Sequence, residues 1–176
     1  AHARFVDPRS DFLTLLNIWT VYHEHRAEGR GTSRMRKFCK AHFLSFRRMR
    51  EWRDVHYQLR TILQDNDLWA EASEMEREAK GEGFSPWYAA IHQSVLSGFL
   101  SSIAQRKEGN FYQAARNREV MLFPGSGLFN RGTGWVVAAE MVETSRLFAR
   151  TVEAVDSDWL EPLAGDLVRR TYRNAH

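Results

Sequence analysis

Basic side chains are concentrated in one stretch of this sequence. Between residues 34 and 60 there are nine arginines and lysines and only two acidic residues. Guanidinium groups bond phosphate through two donors at once, so this density is typical of a surface that follows a nucleic-acid backbone. The alternative is a solvated helix face that pairs with the acidic stretch at residues 65–82. The nine cations are Arg34, Arg36, Lys37, Lys40, Arg47, Arg48, Arg50, Arg53 and Arg60.

Two short polar stretches in the second half carry chemistry suited to single strands. "QRKEGN" places Arg106 and Lys107 beside a predicted hairpin turn, and "ETSR" places Thr144, Ser145 and Arg146 between two apolar runs. Cations bond phosphate oxygens, and hydroxyl groups can bond the 2′-hydroxyl of RNA. Ordinary turn chemistry is an equally good interpretation of both stretches.

Aromatic side chains in the same half could stack on bases. Their strand spacing instead predicts that most of them fill the core of a barrel. They are Phe111, Tyr112, Phe123, Phe129, Trp135 and Phe148.

Other reactive residue types lack the patterns that catalysis or metal binding requires. Cys39 has apolar neighbours on a predicted helix, which indicates a buried core thiol. His23 and His25 stand two residues apart and point in different directions from a helix, which argues against a shared metal. Ser126 in "FPGSGLF" has Pro124 where a nucleophile elbow has glycine. No G-x-x-x-x-G-K-[ST] phosphate loop occurs, so we expect no catalytic residue, metal or cofactor in this chain.

The bulk composition fits an ordinary globular protein. The 176 residues are 43% hydrophobic and carry a net charge of only +3, and most of the cations are arginine. No apolar run approaches the ~20 residues that span a bilayer, and the N-terminus lacks the order of a signal peptide. A single cysteine fits a reducing compartment. We therefore expect a cytoplasmic protein with no membrane partner.

Helical periodicity dominates the first half of the chain. "SDFLTLLNIWTVYHEH" begins with Ser10 and Asp11, a pair able to cap a helix, and its apolar residues predict that helix. Thr32 or Ser33 is predicted to cap the next helix. "SFRRMREWRDVHYQLRTILQ" predicts a long amphipathic helix that Ser45 caps. "SPWYAAIHQSVLSGFL" predicts a helix from Pro86 to about Gly98. The predicted apolar face of the long helix comprises Phe46, Met49, Trp52, Val55, His56, Leu59, Ile62 and Leu63.

Beyond Gly98 the period becomes that of strands. Five short apolar runs, the first two joined at Glu108-Gly109-Asn110, are too few for two packed sheets. They predict a five-stranded antiparallel barrel of the OB type over residues 98–155, with a short helical segment at Leu128. "SDWLEPLAGDL" predicts a closing capped helix. The fold class is α+β: a helical bundle followed by a five-stranded OB-fold barrel with a C-terminal helix.

The order of six strings resembles a known family. "SDFLTLLNIW", "KFCKAHFLSFRRMREWRDVHYQL", "LSGFLSSIAQRKEGNFYQAARN", "LFPGSGLF", "WVVAAEMVETSRLFARTV" and "DSDWLEPLA" are similar to the C-terminal region of DEAH-box ATP-dependent RNA helicases of the bacterial HrpA type. The resemblance covers nearly the whole chain except the acidic connection.

This resemblance implies a domain organisation and a role. Residues 1–97 would be the C-terminal part of a helicase-associated, ratchet-like helical domain, and residues 98–176 its OB fold. In the family this barrel lies beside the two ATPase domains and helps form the channel for single-stranded RNA. ATP and magnesium would bind in the helicase core of the longer protein, which would be the ATP hydrolase. The string "SFRRM" matches the family's Asn-Tyr-Arg-Ser-Leu-like string at Arg47.

Two functions follow as hypotheses. The first is a noncatalytic nucleic-acid-binding region of an ATP-dependent RNA helicase, with Arg47, Arg106, Lys107, Thr144, Ser145 and Arg146 as candidate RNA-binding residues. The second is a protein-interaction scaffold that docks the helicase core domains or regulators. An exposed apolar surface would favour the second.

Overall fold

The computed structural model describes residues 2–29, 31–70, 75, 77–78 and 83–165. Contacts divide the chain into two compact units. The helical unit consists of Ala1–Val6 and Leu15–Glu74, and the barrel unit consists of Asp7–Thr14 and Met75–His176. The contacts group the helix before residue 98 with the barrel, and the predicted domain boundary between residues 97 and 98 stays a prediction.

Three helices supply the helical unit: α1 (Asp11–Ala27), whose first residues are counted with the barrel unit, α2 (Thr32–Ala41) and α3 (Phe46–Asp65). Ser45 caps α3 by accepting a hydrogen bond from the Arg48 backbone N–H at 3.3 Å. The predicted cap of α2 is wrong, because Gly31 occupies that position and no side chain bonds there. The core of this unit consists of Phe5, Ile18, Tyr22, Met35, Cys39 and Met49.

The second half of α3 does not bury its apolar side. Val55 is 51% exposed, and Leu59 and Ile62 are each 56% exposed. The core reaches Met49 and the half-buried Trp52, in the first two turns of the helix, and does not continue along it. The apolar side that the helical period predicts is therefore buried at the start of α3 and exposed at its end.

The barrel unit begins with α4 (Pro86–Gly98), which Ser85 caps by accepting from the Tyr88 N–H at 3.1 Å. The strands are β1 (Ile103–Glu108), β2 (Phe111–Ala114), β3 (Glu119–Leu122), β4 (Trp135–Glu143) and β5 (Leu147–Ala154). A 3-10 turn then leads into α5 (Leu160–Ala164). The sheet closes in the order β1-β2-β3-β5-β4, as in an OB fold.

One strand pair departs from the predicted antiparallel barrel. β3 and β5 pair in parallel, with Met121 opposite Phe148 and Leu122 opposite Ala149. A closed ring with an odd number of strands cannot alternate in direction at every step, so at least one pair must be parallel. The predicted helical segment at Leu128 is wrong, because this part of the chain consists of turns. The Leu128 side chain is fully buried in the barrel core.

The barrel interior is filled from all five strands, and one residue shifts the alternation along β5. Ala149 faces the interior, as do Val152 and Ala154, so the inward positions change parity between them. Thr151 stands at this change in the left-handed conformation with φ of 52°. The interior consists of Ala104, Tyr112, Ala114, Val120, Leu122, Leu128, Val136, Ala138, Ala149, Val152 and Ala154.

Candidate nucleic-acid interface

The turn between β4 and β5 presents the three predicted polar residues to solvent. Thr144, Ser145 and Arg146 are all exposed. The Thr144 N–H donates to the Arg146 carbonyl at 2.9 Å, which closes the turn and leaves the three side chains outside it. The three side chains therefore reach solvent together; that they bind RNA stays a prediction.

Arg146 is held against the start of β2. Its guanidinium carbon lies 5.8 Å from the centre of the Phe111 ring, within the range of a cation–π contact. The two residues line a surface cavity of about 390 Å³. The remaining lining residues are Glu119, Val120, Met121 and Leu147.

The end of β1, beside the β1–β2 turn, contributes two further cations, Arg106 and Lys107, and both are exposed. Lys107 Nζ lies 3.0 Å from Glu119 Oε2 on β3. Arg106 donates from Nε to the Gly109 carbonyl at 3.2 Å, and a Cβ at Gly132 would lie 3.5 Å from its Nη1. Glu119 also lines the cavity with Arg146. Its carboxylate is therefore close to cations of both predicted stretches and offsets part of their positive charge.

An apolar stripe crosses the outside of the barrel beside Arg146. Phe111 pairs with Met121, and Met121 pairs with Phe148, so the three side chains share one outward face of β2, β3 and β5. We call these three residues the outer stripe. Phe148 meets the Phe123 ring edge to face at 6.2 Å, and Arg150 lies 4.6 Å above Phe123.

Sequence reasoning placed most aromatics in the barrel core, and only some of them are there. Tyr112 is fully buried in it and Phe129 packs against it. Phe111 and Phe148 are half-buried on the outer face, and Phe123 is 38% exposed. Adjacent strand residues point to opposite faces, so Phe111 and Tyr112 could not both enter the core. That adjacency was the signal for an outward aromatic.

Arg47 lies in the helical unit, whereas the other candidate RNA-binding residues lie in the barrel unit. It stands in the first turn of α3, its side chain is 88% exposed, and its Nε donates to Glu51 at 2.8 Å. The other predicted cations of α3 include Arg53, which donates to Asp54 at 2.9 Å. A role for Arg47 in RNA binding remains a prediction.

A buried cluster of serine, histidine and glutamate lies elsewhere in the barrel unit, and sequence reasoning missed it. Ser10, His92 and Glu153 are each 0% exposed. His92 Nε2 lies 2.7 Å from Ser10 Oγ and 3.6 Å from Glu153 Oε2, and His92 Nδ1 lies 2.6 Å from the Tyr88 carbonyl. In a hydrolytic triad the carboxylate bonds the ring nitrogen opposite the serine, so this geometry is not a triad.

Burial sets the titration of this cluster. It lowers the pKa of His92 to about 4 and raises the pKa of Glu153 to about 9. Because a backbone carbonyl faces Nδ1, the neutral ring carries its proton there and accepts from Ser10 at Nε2. Neither oxygen of Glu153 has a hydrogen-bond partner among the described residues.

Within the described ranges, no three His, Cys, Asp or Glu side chains come together as a metal-ligand set. His23 contacts Trp19 at 4.1 Å between ring centres, whereas His25 stacks on Phe38 at 4.4 Å. Among the helices that the structure describes, none is both long and apolar enough to cross a membrane.

The closed strand order and the outward polar turns define an OB-fold protein. In agreement, residues 91–167 match the family described as oligonucleotide/oligosaccharide-binding (OB)-fold. This part of the chain is an OB-fold domain.

The whole chain is similar to a segment of ATP-dependent RNA helicases. It is 36% identical over 176 residues to HrpA of Escherichia coli (strain K12), covering 99% of this chain and 13% of that protein. It is 37% identical over 172 residues to the HrpA homolog of Haemophilus influenzae, covering 97% and 12%. The splicing factor prp22 of Schizosaccharomyces pombe, also an ATP-dependent RNA helicase, is 28% identical, covering 92% and 12%. The resemblance to HrpA-type DEAH-box helicases is confirmed, and the chain spans about one eighth of these relatives' length.

Proposed function

We propose that this chain is a nucleic-acid-binding auxiliary region of an ATP-dependent RNA helicase and helps form its channel for single-stranded RNA. The relatives are named as RNA helicases, and the chain covers only 13% of the Escherichia coli protein. In this proposal ATP and magnesium bind in the core domains of the longer polypeptide. The chain supplies surfaces that hold RNA.

The observation that carries the proposal is the pairing of exposed cations with outward-facing aromatic rings on the barrel. Arg146 lies over Phe111, and Arg150 lies over Phe123 beside the outer stripe. Proteins that bind single strands combine cations along the backbone path with aromatic faces on which bases stack. A purely structural turn would not need this arrangement.

Each residue has a distinct role in the proposed interface. Arg146, Arg106 and Lys107 bond phosphate oxygens. The hydroxyl groups of Thr144 and Ser145 meet the 2′-hydroxyl, which distinguishes RNA from DNA. Phe148 and Phe123 offer surface for bases. Glu119 repels phosphate and keeps the backbone on the side of Arg146.

The salt dependence of binding tests this function. Fluorescence anisotropy with a labelled single-stranded oligouridylate should show binding that weakens steeply as salt rises, because bound phosphates release counterions. A duplex of the same length should bind more weakly, because its bases cannot reach the aromatic rings. An absence of single-strand binding at low salt would overturn the proposal for this chain.

The exposed end of α3 favours a second function, docking of the helicase core domains of the same polypeptide. Val55, Leu59 and Ile62 recur at three- and four-residue spacing and share one side of the helix. The Escherichia coli relative is about eight times longer than this chain, so in this proposal other domains of the same polypeptide cover these three side chains. Leu59→Ser with Ile62→Ser should leave the melting temperature of this chain nearly unchanged and lower that of the full-length protein. Equal effects in both would contradict docking.

A further inference from the structure

A cavity of about 620 Å³ opens between α1 and α3, entirely within the helical unit. It is larger than the cavity beside Arg146 on the barrel, and none of the six candidate RNA-binding residues lines it, although Arg53 and Arg60 belong to the basic run at residues 34–60. We call it the α1–α3 cavity. Six of its lining residues are Trp19, His23, Arg26, Arg53, His56 and Arg60.

One wall of this cavity is made of aromatic rings. The Trp19 indole lies 4.1 Å from the His23 ring and 4.8 Å from the His56 ring, measured between centres. The Trp52 ring, on α3, contacts the Trp19 ring at 4.9 Å between centres. Trp19 is half-buried, so part of its surface faces the cavity and can pack against a flat ring. Such stacking suits an unpaired base.

The same cavity is rich in positive charge. Arg26, Arg53 and Arg60 line it, and Asp54, the one acidic residue among the lining residues that the structure describes, accepts a hydrogen bond from the Arg53 guanidinium. Arg60 is held over the Trp69 ring at 4.8 Å, which fixes its direction. Guanidinium groups outnumber the carboxylate three to one, so the cavity favours an anion.

His23 adds a ring nitrogen that no described residue hydrogen-bonds. Its Nε2 is buried and has no hydrogen-bond partner among the described residues. Burial, followed by the charge of Arg26, lowers the pKa of His23, so the ring is neutral near pH 7. Buried polar atoms are nearly always bonded, so this nitrogen has hydrogen-bonding capacity that the described residues leave unused.

We propose that the α1–α3 cavity binds one nucleotide of single-stranded RNA, with its base against Trp19 and its phosphates at Arg26, Arg53 and Arg60. An acidic peptide would satisfy the cations and leave the aromatic wall unused, and an apolar ligand would offer no anion to the guanidinium groups. A nucleotide uses both features. The inference rests on the proposed function only in sharing RNA as the ligand.

The location of the RNA is tested by photo-crosslinking. The full chain is mixed with a short single-stranded oligouridylate that contains 4-thiouridine, irradiated, digested and mapped by mass spectrometry. Crosslinks at Trp19 or Tyr57, which also lines the cavity, are expected in addition to those on the barrel. Crosslinks confined to the barrel unit would overturn the inference and leave the proposed function standing.

The energetic test uses two exposed cavity arginines and a matched control. Arg26→Gln with Arg60→Gln should weaken oligouridylate binding at least fivefold and reduce the salt slope by about two phosphates. Arg4→Gln removes an exposed arginine of the same unit that neither lines the cavity nor belongs to the candidate RNA-binding residues, and it should change affinity less than about twofold. Circular dichroism melts of both should match the wild type, because these side chains lie on the surface.

Four outcomes would overturn the assignment. In the first, the double variant binds RNA as Arg4→Gln does. Polyglutamate could displace the crosslink at Trp19 as well as unlabelled oligouridylate does, which would show charge binding without base recognition. Uridine monophosphate could compete as effectively per molecule as the oligonucleotide, which would assign the cavity to a free mononucleotide. Loss of binding in Arg146→Ala, with none in the cavity variants, would reject this inference alone.

Discussion

The carboxylate of Glu153 lies 3.6 Å from Nε2 of His92, and neither side chain is exposed to solvent. Burial holds the acid protonated and the imidazole neutral, so the pair is two neutral groups near pH 7. Asp7 and Arg9 also act on His92, and the Tyr88 ring stacks on it at 3.6 Å. The barrel unit therefore contains a buried pair whose contribution to the free energy of unfolding depends on pH.

We predict that the free energy of unfolding of the wild type falls as pH rises toward 9, and that Glu153→Gln abolishes this fall. Glu153 titrates near 9 when folded and near 4.5 when unfolded, so the folded state loses stability as pH rises between these values. His92, lowered from 6.5 to about 4, loses stability as pH falls through that range and offsets the glutamate below about pH 6.5. The wild type should thus lose up to about 1.4 kcal/mol per pH unit from pH 6.5 to 9. Melts of Glu153→Gln should be flatter over this range.

His92→Asn is the control for this titration. It removes the imidazole and leaves Glu153, so its stability should still decline above pH 6.5. An unchanged pH profile in Glu153→Gln would show that the carboxylate is ionised in the fold.

Arg146→Ala should weaken binding of single-stranded RNA by about 1 kcal/mol and lower the salt slope by about one phosphate. Its exposed side chain contributes to folding within about 0.5 kcal/mol. Arg77→Ala is a matched control, because its guanidinium also lies over an aromatic ring, Trp87, at 5.2 Å. Anisotropy titrations and melts compare the two. Equal affinities, or a collapsed melt for Arg146→Ala, would make Arg146 a structural residue.

Phe148→Leu should weaken RNA binding by about 1 kcal/mol, because leucine fills space beside Met121 without a flat face for a base. The change keeps an apolar side chain on the outer stripe, so its cost in stability should be small. Phe43→Leu serves as control, since Phe43 is 77% exposed in the helical unit. If both variants bind as the wild type does, the outer stripe does not stack bases.

Asp11→Ala should destabilise the barrel unit by about 2 kcal/mol. Its carboxylate accepts from the Gly127 N–H at 2.9 Å and from the Val152 N–H at 3.0 Å, and removing it leaves both donors without their acceptor. Asp11→Asn keeps one acceptor oxygen and should lose less. Urea unfolding measures the two variants. Similar losses for both would show that the charge matters more than the paired bonds.

Purified chain should show no turnover of ATP, with or without RNA. The sequence offers no phosphate loop to hold a triphosphate and its magnesium. A coupled assay for released phosphate measures this. Turnover that persists through a second purification step would contradict it.

Local signals predicted the elements well, and long-range relationships were harder to predict. The β1–β2 turn follows from Glu108-Gly109-Asn110, because Gly109 adopts a positive φ of 53° that glycine favours. The exposed turn at Arg146 follows from the break in alternation. By contrast, the burial of Glu153 depends on Ser10 and His92, which are distant in sequence. The exposure of Leu59 could not be read from a helical period, because the period marks an apolar side without naming what covers it.

The left-handed backbone of Thr151 has a consequence for Glu153. Alternation continued from Ala149 without a break would turn residues 151 and 153 toward the barrel interior, and would set a carboxylic acid among Tyr112, Val120 and Leu122. The change of parity at Thr151 places Val152 there instead and sends the acid to the outer side of the wall, where it meets the imidazole of His92. The main-chain torsion at Thr151 thus determines which face of the strand carries the polar side chain. A threonine is an unfavourable residue for that torsion, so Thr151→Gly should preserve the sorting while relieving local strain.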